Sequence, residues 1–280
     1  GVAPAYEYSY GKQNWFAHSA AEHQVVRQGV GVFDMSSFGK FLLQGADACA
    51  VLNRVSANQV DVEPGRVDYT QWLNDQGGIE ADLTVTRIAE DEYLVVTAGA
   101  SQRRDFHWLK TSIQSDERAW VTDVTAGYGV LSVMGPQSRD LLTQLTPADL
   151  TNGVFGFGQS KEIEMGYGMV RASRISYEGE LGWELYVPSD IALGIFEWLL
   201  EAGEALGLKL AGLHALNSLR IEKAYRHWGH DIGPEDNPLQ AGLGFAVDWD
   251  KAAGFRGREA LGQIAMQLPT RRMTQFLLDD

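Results

Sequence analysis

Hydrophobic positions recur along the chain at two spacings, and segments with one spacing alternate with segments of the other. Apolar residues three or four apart predict a helix over 17–30, with Ser19 as its N-cap and Glu22 three positions later. Alternate apolar positions predict strands over 68–73 and 79–88, which flank the turn sequence 74-NDQGG-78. Further strands are predicted over 92–99, 119–124, 129–134, 168–176 and 183–187. Further helices are predicted to begin after Asp47 and at Pro136, and to cover 101–113, 189–206 and 212–226. Ser101 and Ser189 are the predicted caps of the helices over 101–113 and 189–206. This alternation favours an α+β fold, in which two loose β-α-β passes indicate a duplicated subdomain.

The composition limits the class of protein. Hydrophobic residues make up 45% of the 280 positions, which is enough to bury a large core in one big domain or two intimate ones. The longest apolar stretches, such as 93-YLVVTA-98, have the length of a strand and fall short of a membrane helix. The net charge of −14 disfavours nucleic acid as a partner. Cys49 is the single cysteine, so no disulfide framework is possible, and a reducing compartment is expected.

Most short motifs that carry known chemistry are missing from the sequence. The stretches 29-GVGVFD-34 and 242-GLGFAV-247 lack the third glycine of a dinucleotide-binding fingerprint, and there is no P-loop. His227, His230 and Asp231 cluster in 225-YRHWGHD-231, but two histidines and one acid form a weak metal signal, so we predict no metal site. The alternatives for this segment are a polar loop, or a pocket wall in which Trp228 stacks on a flat ligand.

Asp82 is the most informative single acid in the chain. It follows the Gly77–Gly78 turn, has apolar neighbours on both sides, and shares one face of the predicted strand with Glu80. A carboxylate on such an apolar strand is costly unless it is paired or used in chemistry. The alternative is that this face of the strand is exposed to solvent, and the pattern alone leaves both interpretations open.

A second group of candidates lies in 174-RISYEGELGWELYVP-188. A turn with two glycines presents Tyr177, and Glu184 points away from Trp183 inside the following strand. Glu184 is either an exposed strand carboxylate or an acceptor for a ligand with adjacent N–H donors, as in a 2-amino-4-oxo-pteridine. Trp183 and Tyr186 could line a flat pocket. Arg220, on a predicted helix, has the alternative interpretation of a surface charge.

Several long stretches resemble one family in order along the chain. They are 31-GVFDMSSFGKF-41, 64-PGRVDYTQWLNDQGGIEADLTVTR-87, 173-SRISYEGELGWELYVP-188 and 219-LRIEKAYRHWGHDIGPEDNPLQAGLGF-245. They resemble the folate-binding region of sarcosine and dimethylglycine dehydrogenases and, more distantly, the aminomethyltransferase (T-protein) of the glycine cleavage system. The resemblance implies a T-protein-like α+β fold of two interwoven ferredoxin-like subdomains with a C-terminal β-barrel.

The resemblance also assigns roles to individual residues. The catalytic aspartate of the family, which begins the strand after the Gly-Gly turn, matches Asp82. The family's folate-binding residues match Tyr69, Tyr177, Glu184, Arg220 and Trp228. A carboxylate near N5 and N10 of tetrahydrofolate can stabilise an iminium and relay a proton, and the aromatic residues can supply a flat surface for the pterin.

The implied reaction is capture of the one-carbon unit of an oxidised N-methyl amine, sarcosine or dimethylglycine, as 5,10-methylenetetrahydrofolate. FAD would belong to a missing or partner domain, and 8-YSYGKQNWF-16 resembles the junction that follows the flavin domain. We expect residues 1–270 to form the folate-binding domain and 271–280 to begin a β-barrel that is largely absent, since 272–280 has the pattern of a strand cut short. A bacterial cytoplasmic or mitochondrial matrix location is expected.

Three alternatives belong to other classes. The T-protein motif F-D-x-S-H-M-G reads 33-FDMSSFG-39, which favours the dehydrogenase branch over a glycine-cleavage aminomethyltransferase. A tetrahydrofolate-dependent demethylase is a second alternative. A folate-binding module without turnover is the third, but the Lys-Gly-Cys-Tyr-x-Gly-Gln motif of the iron–sulfur assembly factors is missing.

Overall fold

The described residues of the computed structural model, 5–268 and 270–277, form two units whose segments alternate along the chain. The first unit contains the residues up to Met35, Gly129–Phe157 and Glu162–Tyr225. The second contains Ser36–Tyr128, Gly158–Lys161 and the residues from Arg226 onward. Each unit has its own sheet and its own apolar core, which confirms the predicted α+β class.

Eleven strands and seven α-helices are assigned in the described residues. The strands are β1 Gly31–Asp34, β2 Gly39–Gln44, β3 Val67–Leu73, β4 Ile79–Ala89, β5 Glu92–Thr97, β6 Trp120–Asp123, β7 Tyr128–Met134, β8 Ser160–Met165, β9 Gly168–Ser173, β10 Gly182–Pro188 and β11 Lys209–Leu210. The helices are α1 Phe16–Gln28, α2 Ala48–Val55, α3 Gln102–Ser112, α4 Ser138–Leu142, α5 Ala192–Gly203, α6 Leu213–Glu222 and α7 Arg258–Ala265. None of these helices combines the length and the hydropathy that crossing a bilayer requires.

The first unit contains a six-stranded sheet in the order β11-β1-β7-β10-β9-β8. Strand β10 lies in its interior, and alternate residues of β10 have different environments. Trp183 and Leu185 are fully buried in the core that includes Leu199 of α5. Glu184 and Tyr186 point to the opposite face because successive strand side chains alternate. This placement corrects the idea that Trp183 lines a ligand pocket.

The second unit contains an antiparallel sheet in the order β3-β4-β5-β2-β6. One face packs on α2 and α3 through an apolar cluster that includes Phe41, Leu83 and Leu109. The opposite face of β3 and β4 carries polar side chains, because Gln71 pairs with Asp82 in the ladder and the two point the same way. Alternate residues of β4 therefore pack into the apolar cluster, and the residues between them, including Asp82, lie on the polar face.

The hairpin turn between β3 and β4 is close-packed. The backbone N–H of Gly78 donates to Asn74 Oδ1 at 2.9 Å, and the Gly77 N–H donates to the Asn74 carbonyl, also at 2.9 Å. Gly77 has φ +82°, a conformation that favours glycine. A Cβ at Gly78 would lie 1.8 Å from the carbonyl oxygen of Pro234, so no side chain fits there.

Replacing Gly78 by Ala is therefore expected to destabilise the fold, because either the hairpin or the loop that contains Pro234 must move. We expect a loss of about 3 kcal/mol in the free energy of unfolding, seen as a fall in Tm of roughly 6–10 °C. Thermal unfolding followed by circular dichroism measures it. Gly127→Ala is the control, since a Cβ there meets no atom within 4 Å. Equal Tm values for the two variants would contradict the packing argument.

The helix predicted over 17–30 is confirmed as α1 to within two residues at each end, but three residues predicted to mark helix N-termini lie two or three positions from the first helical residue. Helix α1 begins at Phe16, so Ser19 lies inside it, and the Ser19 hydroxyl donates to the Phe16 carbonyl at 3.2 Å. Helix α4 begins two residues after Pro136, and α5 begins three residues after Ser189. A cap pattern reflects only the local preference of a serine for helix N-termini. Inside a helix, a serine hydroxyl can instead donate to a backbone carbonyl of the preceding turn.

Two predicted caps occupy the right positions but make different bonds. Asp47 precedes α2, yet its carboxylate accepts the backbone N–H of Arg118 at 2.7 Å. Ser101 precedes α3, and its hydroxyl donates to buried Asp105 at 2.6 Å. Asp47 thus ties its helix start to a backbone group distant in sequence, whereas Ser101 bonds an acid within its own helix.

Several elements had no predicted counterpart. Strands β1, β2, β8 and β11 are short or carry mixed patterns, and α7 follows a glycine-rich loop. In the other direction, residues 272–277 form no strand, and Met273 makes one backbone bond to Gln240 at 2.9 Å. Positions 278–280 of the predicted strand lie outside the described residues. A strand needs a bonded neighbour along its length, and none of the strands in the described residues pairs with this segment.

Candidate functional site

Asp82 and Gln71 form a cross-strand pair on the polar face of the second unit's sheet. Gln71 Nε2 donates to Asp82 Oδ1 at 2.9 Å. Gln71 is fully buried, and Asp82 is partly buried. Tyr69 lies two residues before Gln71 on the same face, and its interaction with the carboxylate favours the ionised form. The predicted catalytic aspartate thus has a hydrogen-bonded environment, and the alternative of a solvated surface acid is wrong.

Burial dominates the ionisation of Asp82. Desolvation raises the pKa of its carboxyl to about 6, although Tyr69, Gln71 and the positive charge of Arg226 act in the opposite direction. Burial and the nearby carboxylate also raise the pKa of Tyr69 well above its ordinary value, so its phenol stays protonated at neutral pH. Asp82 can therefore gain or lose a proton near neutral pH, as a general acid or base must.

The raised pKa also means that the ionised Asp82 carboxylate destabilises the folded state. Because the pKa in the fold, about 6, exceeds the ordinary 3.8, the folded chain favours the protonated carboxyl. The penalty is complete above pH 6 and disappears below about pH 4. Asp82→Asn should raise the free energy of unfolding at pH 7.5 by about 2 kcal/mol, a value reduced because the side chain is partly exposed. Urea unfolding should show this gain shrink steadily towards pH 4, and a gain that is independent of pH would contradict the assignment.

Arg226 and Phe245 complete the surroundings of Tyr69 and were missed in the sequence analysis. Arg226 Nε donates to the carbonyl of Ala241 at 2.8 Å. Its positive charge opposes the rise in pKa that burial causes at Tyr69 and Asp82. Phe245 is 75% exposed and stacks on Tyr69, with ring centroids 6.1 Å apart. The matched stretch 219–245 contained both residues, but their proximity to Tyr69 depends on how the loop folds back.

Trp228 is held by two contacts in the second unit. Its indole N–H donates to the Ile79 carbonyl at 2.8 Å, next to the Gly-Gly turn. The guanidinium of Arg104 lies 3.8 Å from the centre of the Trp228 ring and also bonds the Glu80 carbonyl. One face of the indole is thus covered by a cation, which restricts any flat ligand to the other face.

The neighbouring histidines do not assemble a metal site. The rings of His227 and His230 lie 4.2 Å apart, and Asp231 accepts the backbone N–H of His227 at 2.9 Å. Across the described ranges, no group of three or more His, Cys, Asp or Glu side chains is placed to hold a metal ion. In this segment, Asp231 closes a turn.

Glu184 is a buried carboxyl on the first unit's sheet. It is 7% exposed, and the Tyr186 hydroxyl donates to Glu184 Oε2 at 2.6 Å. Burial, together with the nearby buried acid Glu178, raises the pKa of Glu184 to about 7, whereas Tyr186 lowers it. The alternative of an exposed strand carboxylate is therefore wrong. A buried carboxyl of this kind is suited to accept adjacent N–H donors when it is ionised.

Tyr177 and Arg220 meet through Tyr225 in the same unit. The rings of Tyr177 and Tyr225 stack with centroids 6.2 Å apart. Arg220 is 4% exposed, so it is not a helix-surface charge. Its Nη1 donates to the Tyr225 carbonyl at 3.0 Å, and its Nε donates to Asn217 at 2.8 Å. Arg220 thus supports the aromatic pair that contains Tyr177.

Arg27 of α1 secures the turn that carries Tyr177. Its guanidinium donates to the Glu178 carbonyl at 2.7 Å, to Glu180 Oε1 at 2.9 Å and to Glu222 at 2.9 Å. No local pattern connects Arg27 with this turn, because its partners lie more than 150 positions away along the chain. Charge-assisted bonds to both the turn and α6 hold these elements together in the first unit.

Comparisons with known proteins point in one direction. The profile described as "GCVT N-terminal domain" matches residues 2–251. The chain is 44% identical, over its whole length, to a 4-methylaminobutanoate oxidase (formaldehyde-forming) of Paenarthrobacter nicotinovorans, covering 34% of that protein. It is 37% identical to the mitochondrial dimethylglycine dehydrogenase of Rattus norvegicus over 99% of the chain and 32% of that protein. The chain thus spans about a third of the length of these two relatives.

A solved structure agrees with these matches. The crystal structure of the glycine cleavage system aminomethyltransferase T from Bartonella henselae superimposes with a TM-score of 0.82 and is 26% identical in sequence. The match covers 96% of this chain and 73% of that structure. The T-protein-like fold predicted from the sequence is therefore confirmed.

Proposed function

The chain belongs to the GCVT N-terminal domain family, and from this premise we propose that it transfers the one-carbon unit of an oxidised N-methyl amine to tetrahydrofolate, giving 5,10-methylenetetrahydrofolate. It is a folate-dependent aminomethyltransferase-like domain, since this family binds tetrahydrofolate. The observation that carries the finer proposal is Asp82, a partly buried carboxyl with a pKa of about 6 at the start of β4.

The side chains around Asp82 support its role as the catalytic residue. Tetrahydrofolate, when bound, supplies the nucleophilic nitrogen that accepts the one-carbon unit. The ionised Asp82 carboxylate would stabilise positive charge at the reacting carbon and accept a proton at an oxygen atom. Tyr69 stays protonated and can only donate to that carboxylate at neutral pH, which keeps the carboxylate in place. Arg226 limits the rise in pKa that burial would otherwise cause.

The remaining predicted folate-binding residues fit tetrahydrofolate by their chemistry. Glu184 is a buried acceptor whose pKa of about 7 leaves it ionised above neutral pH, which suits the N–H donors of a pteridine. Tyr69, Tyr177 and Trp228 have partly exposed rings that could cover apolar ligand surface. Arg220 would act through Tyr225, whose backbone carbonyl it binds. We propose these roles residue by residue, as the family resemblance implies them.

The names of the two relatives favour an N-methyl amine as the donor. One acts on 4-methylaminobutanoate and forms formaldehyde, and the other is a dimethylglycine dehydrogenase. We therefore propose a small N-methylated amino acid, sarcosine or dimethylglycine among them, as the source of the one-carbon unit. Its oxidation would take place on an FAD-bearing domain or subunit, and a bacterial cytoplasm or the mitochondrial matrix is the proposed location.

A second candidate is the aminomethyltransferase reaction of glycine cleavage. The T-protein structure supports it, because that structure matches 96% of this chain with a TM-score of 0.82. In that case the donor is an aminomethyl group on a lipoyl arm. Turnover with a lipoyl-bound aminomethyl donor, and none with formaldehyde, would favour this candidate over an N-methyl amine.

The proposed function is tested by mixing the purified chain with tetrahydrofolate and formaldehyde under anaerobic conditions. Product is followed at 340 nm through an NADP-dependent methylenetetrahydrofolate dehydrogenase, with the uncatalysed rate subtracted. We expect a protein-dependent rate that saturates with tetrahydrofolate, together with saturable quenching of tryptophan fluorescence. No saturable quenching and no excess rate would contradict folate-dependent transfer, whereas quenching without rate would indicate a binding module.

A further inference from the structure

Gln71 has an unusual hydrogen-bonding state for a fully buried amide. It lies directly opposite Asp82 in the β3–β4 ladder, and its Nε2 donates to Asp82 Oδ1 at 2.9 Å. Its carbonyl oxygen Oε1 is buried too, and among the described residues it has no hydrogen-bond partner. Buried polar atoms are nearly always satisfied, so an amide held in this state calls for an explanation.

We propose that Gln71 is a positioning residue for Asp82, which holds the ionised carboxylate with its amide nitrogen and accepts the proton of the neutral acid with its amide oxygen. The proposal rests on the proposed function in taking Asp82 as the catalytic group. A half-turn of the amide about the Cγ–Cδ bond exchanges Nε2 and Oε1 without moving the rest of the side chain. One buried residue can thus serve both protonation states of Asp82.

The amide orientation follows from the chemistry of its partner. An ionised carboxylate has no hydrogen to donate, so it can be satisfied only by the amide nitrogen. A neutral carboxylic acid has one O–H donor, and Oε1 is the acceptor that would otherwise stay unpaired. The unpaired oxygen thus accompanies the ionised state of Asp82, and in the neutral state the half-turn pairs this oxygen with the acid while the amide nitrogen takes its former position.

The other groups that face Asp82 differ from Gln71 in their hydrogen bonding. Arg226 carries a guanidinium, which has donors and no acceptor, so it favours only the ionised form. Tyr69 also favours the ionised form, as its interaction lowers the pKa of Asp82. Glu80, two residues before Asp82, accepts from Asn74 Nδ2 at 3.0 Å and is engaged with the turn. Among these four side chains, Gln71 is the one with a buried acceptor that has no hydrogen-bond partner in the described residues.

The test is a direct titration of the Asp82 carboxyl in the full chain. Aspartate is labelled with ¹³C at the carboxyl, the Asp82 resonance is identified by its loss in Asp82→Asn, and its midpoint is followed by NMR. Gln71→Met keeps the length of the side chain and removes both hydrogen-bonding atoms. We expect the midpoint to rise by about one pH unit, because a bond to a charged acceptor is roughly twice as strong as one to a neutral partner.

Thr70→Val is the matched control. Thr70 is equally buried but points to the other face of the sheet, where its hydroxyl accepts the Asn58 N–H at 2.9 Å. It should lower stability without moving the Asp82 midpoint. An unchanged midpoint in Gln71→Met, or an equal shift in Thr70→Val, would overturn the proposal.

A second variant covers the case in which Gln71→Met does not fold. Gln71→Glu keeps the shape of the side chain and places a second carboxyl beside Asp82, so the pair should titrate in two separated steps. A single unshifted step would also overturn the proposal. The NMR midpoints test the role of Gln71 independently of turnover. If the chain shows no turnover with tetrahydrofolate, the coupled assay contradicts the proposed function, and the midpoints still test whether Gln71 positions Asp82.

Discussion

Replacing Asp82 by Asn is expected to slow the formation of 5,10-methylenetetrahydrofolate by about 10²- to 10⁴-fold while tetrahydrofolate still binds. The amide keeps the shape of the carboxylate but can neither accept the proton nor oppose positive charge at the reacting carbon. The measurement is kcat and KM in the coupled assay at 340 nm. A lower kcat with a nearly unchanged KM would place the loss in the chemical step.

The pH dependence sharpens this prediction. Asp82 has a pKa of about 6, so its ionised form grows as the pH rises through that value. The wild-type rate should therefore increase between about pH 5 and 7, and this limb should be missing in Asp82→Asn. Glu80→Gln is the matched control, because Glu80 lies on the same strand and bonds the turn residue Asn74. Equal losses in the two variants would assign the effect to the hairpin, and normal turnover of Asp82→Asn would reject the catalytic role.

Replacing Glu184 by Gln is expected to weaken tetrahydrofolate binding by about 100-fold. A charged carboxylate that accepts two N–H donors contributes about 1.5 kcal/mol for each bond, and a neutral amide forfeits the charge and half of the acceptors. The measurement is the Kd from anaerobic isothermal titration calorimetry at pH 8. Glu164→Gln on β8 is the control, since Glu164 is exposed on the same sheet.

Binding by Glu184 should also depend on pH. Its pKa of about 7 means that most of the carboxyl is neutral at pH 6 and ionised at pH 8. Wild-type affinity should therefore rise about tenfold over this interval, and the affinity of Glu184→Gln should stay flat. If wild type and variant showed the same pH dependence, another group would be responsible and the pteridine-binding role of Glu184 would be wrong.

The parts of the candidate site that were predictable are those encoded by neighbouring residues. The β3–β4 hairpin around Asp82 follows from alternate apolar positions and from the two glycines of its turn. The opposite orientations of Trp183 and Glu184 follow from the same alternation, and both were confirmed. The assignment of Asp82 as catalytic came from the family resemblance and stays a prediction, because spacing alone also allowed a solvated acid.

Helix starts show where local signals fail. Ser19 and Ser189 have the residue type of a cap, but α1 and α5 begin elsewhere. Asp47 and Ser101 stand at helix starts and use their side chains on distant partners or on a buried acid. A cap contributes about 1 kcal/mol, so another hydrogen bond of similar strength, local or long-range, is enough to engage the side chain instead.

The sequence by itself determined the fold class, the hairpin that presents Asp82 and the strand that carries Glu184, because strand alternation and turn chemistry act over a few residues. Only the tertiary structure decided the ionisation of both acids, the pairing of Gln71 with Asp82 and the approach of Arg226. It also decided that Arg27 holds the Tyr177 turn. Desolvation and long-range charge depend on what the whole fold places around a group, and no local pattern records that.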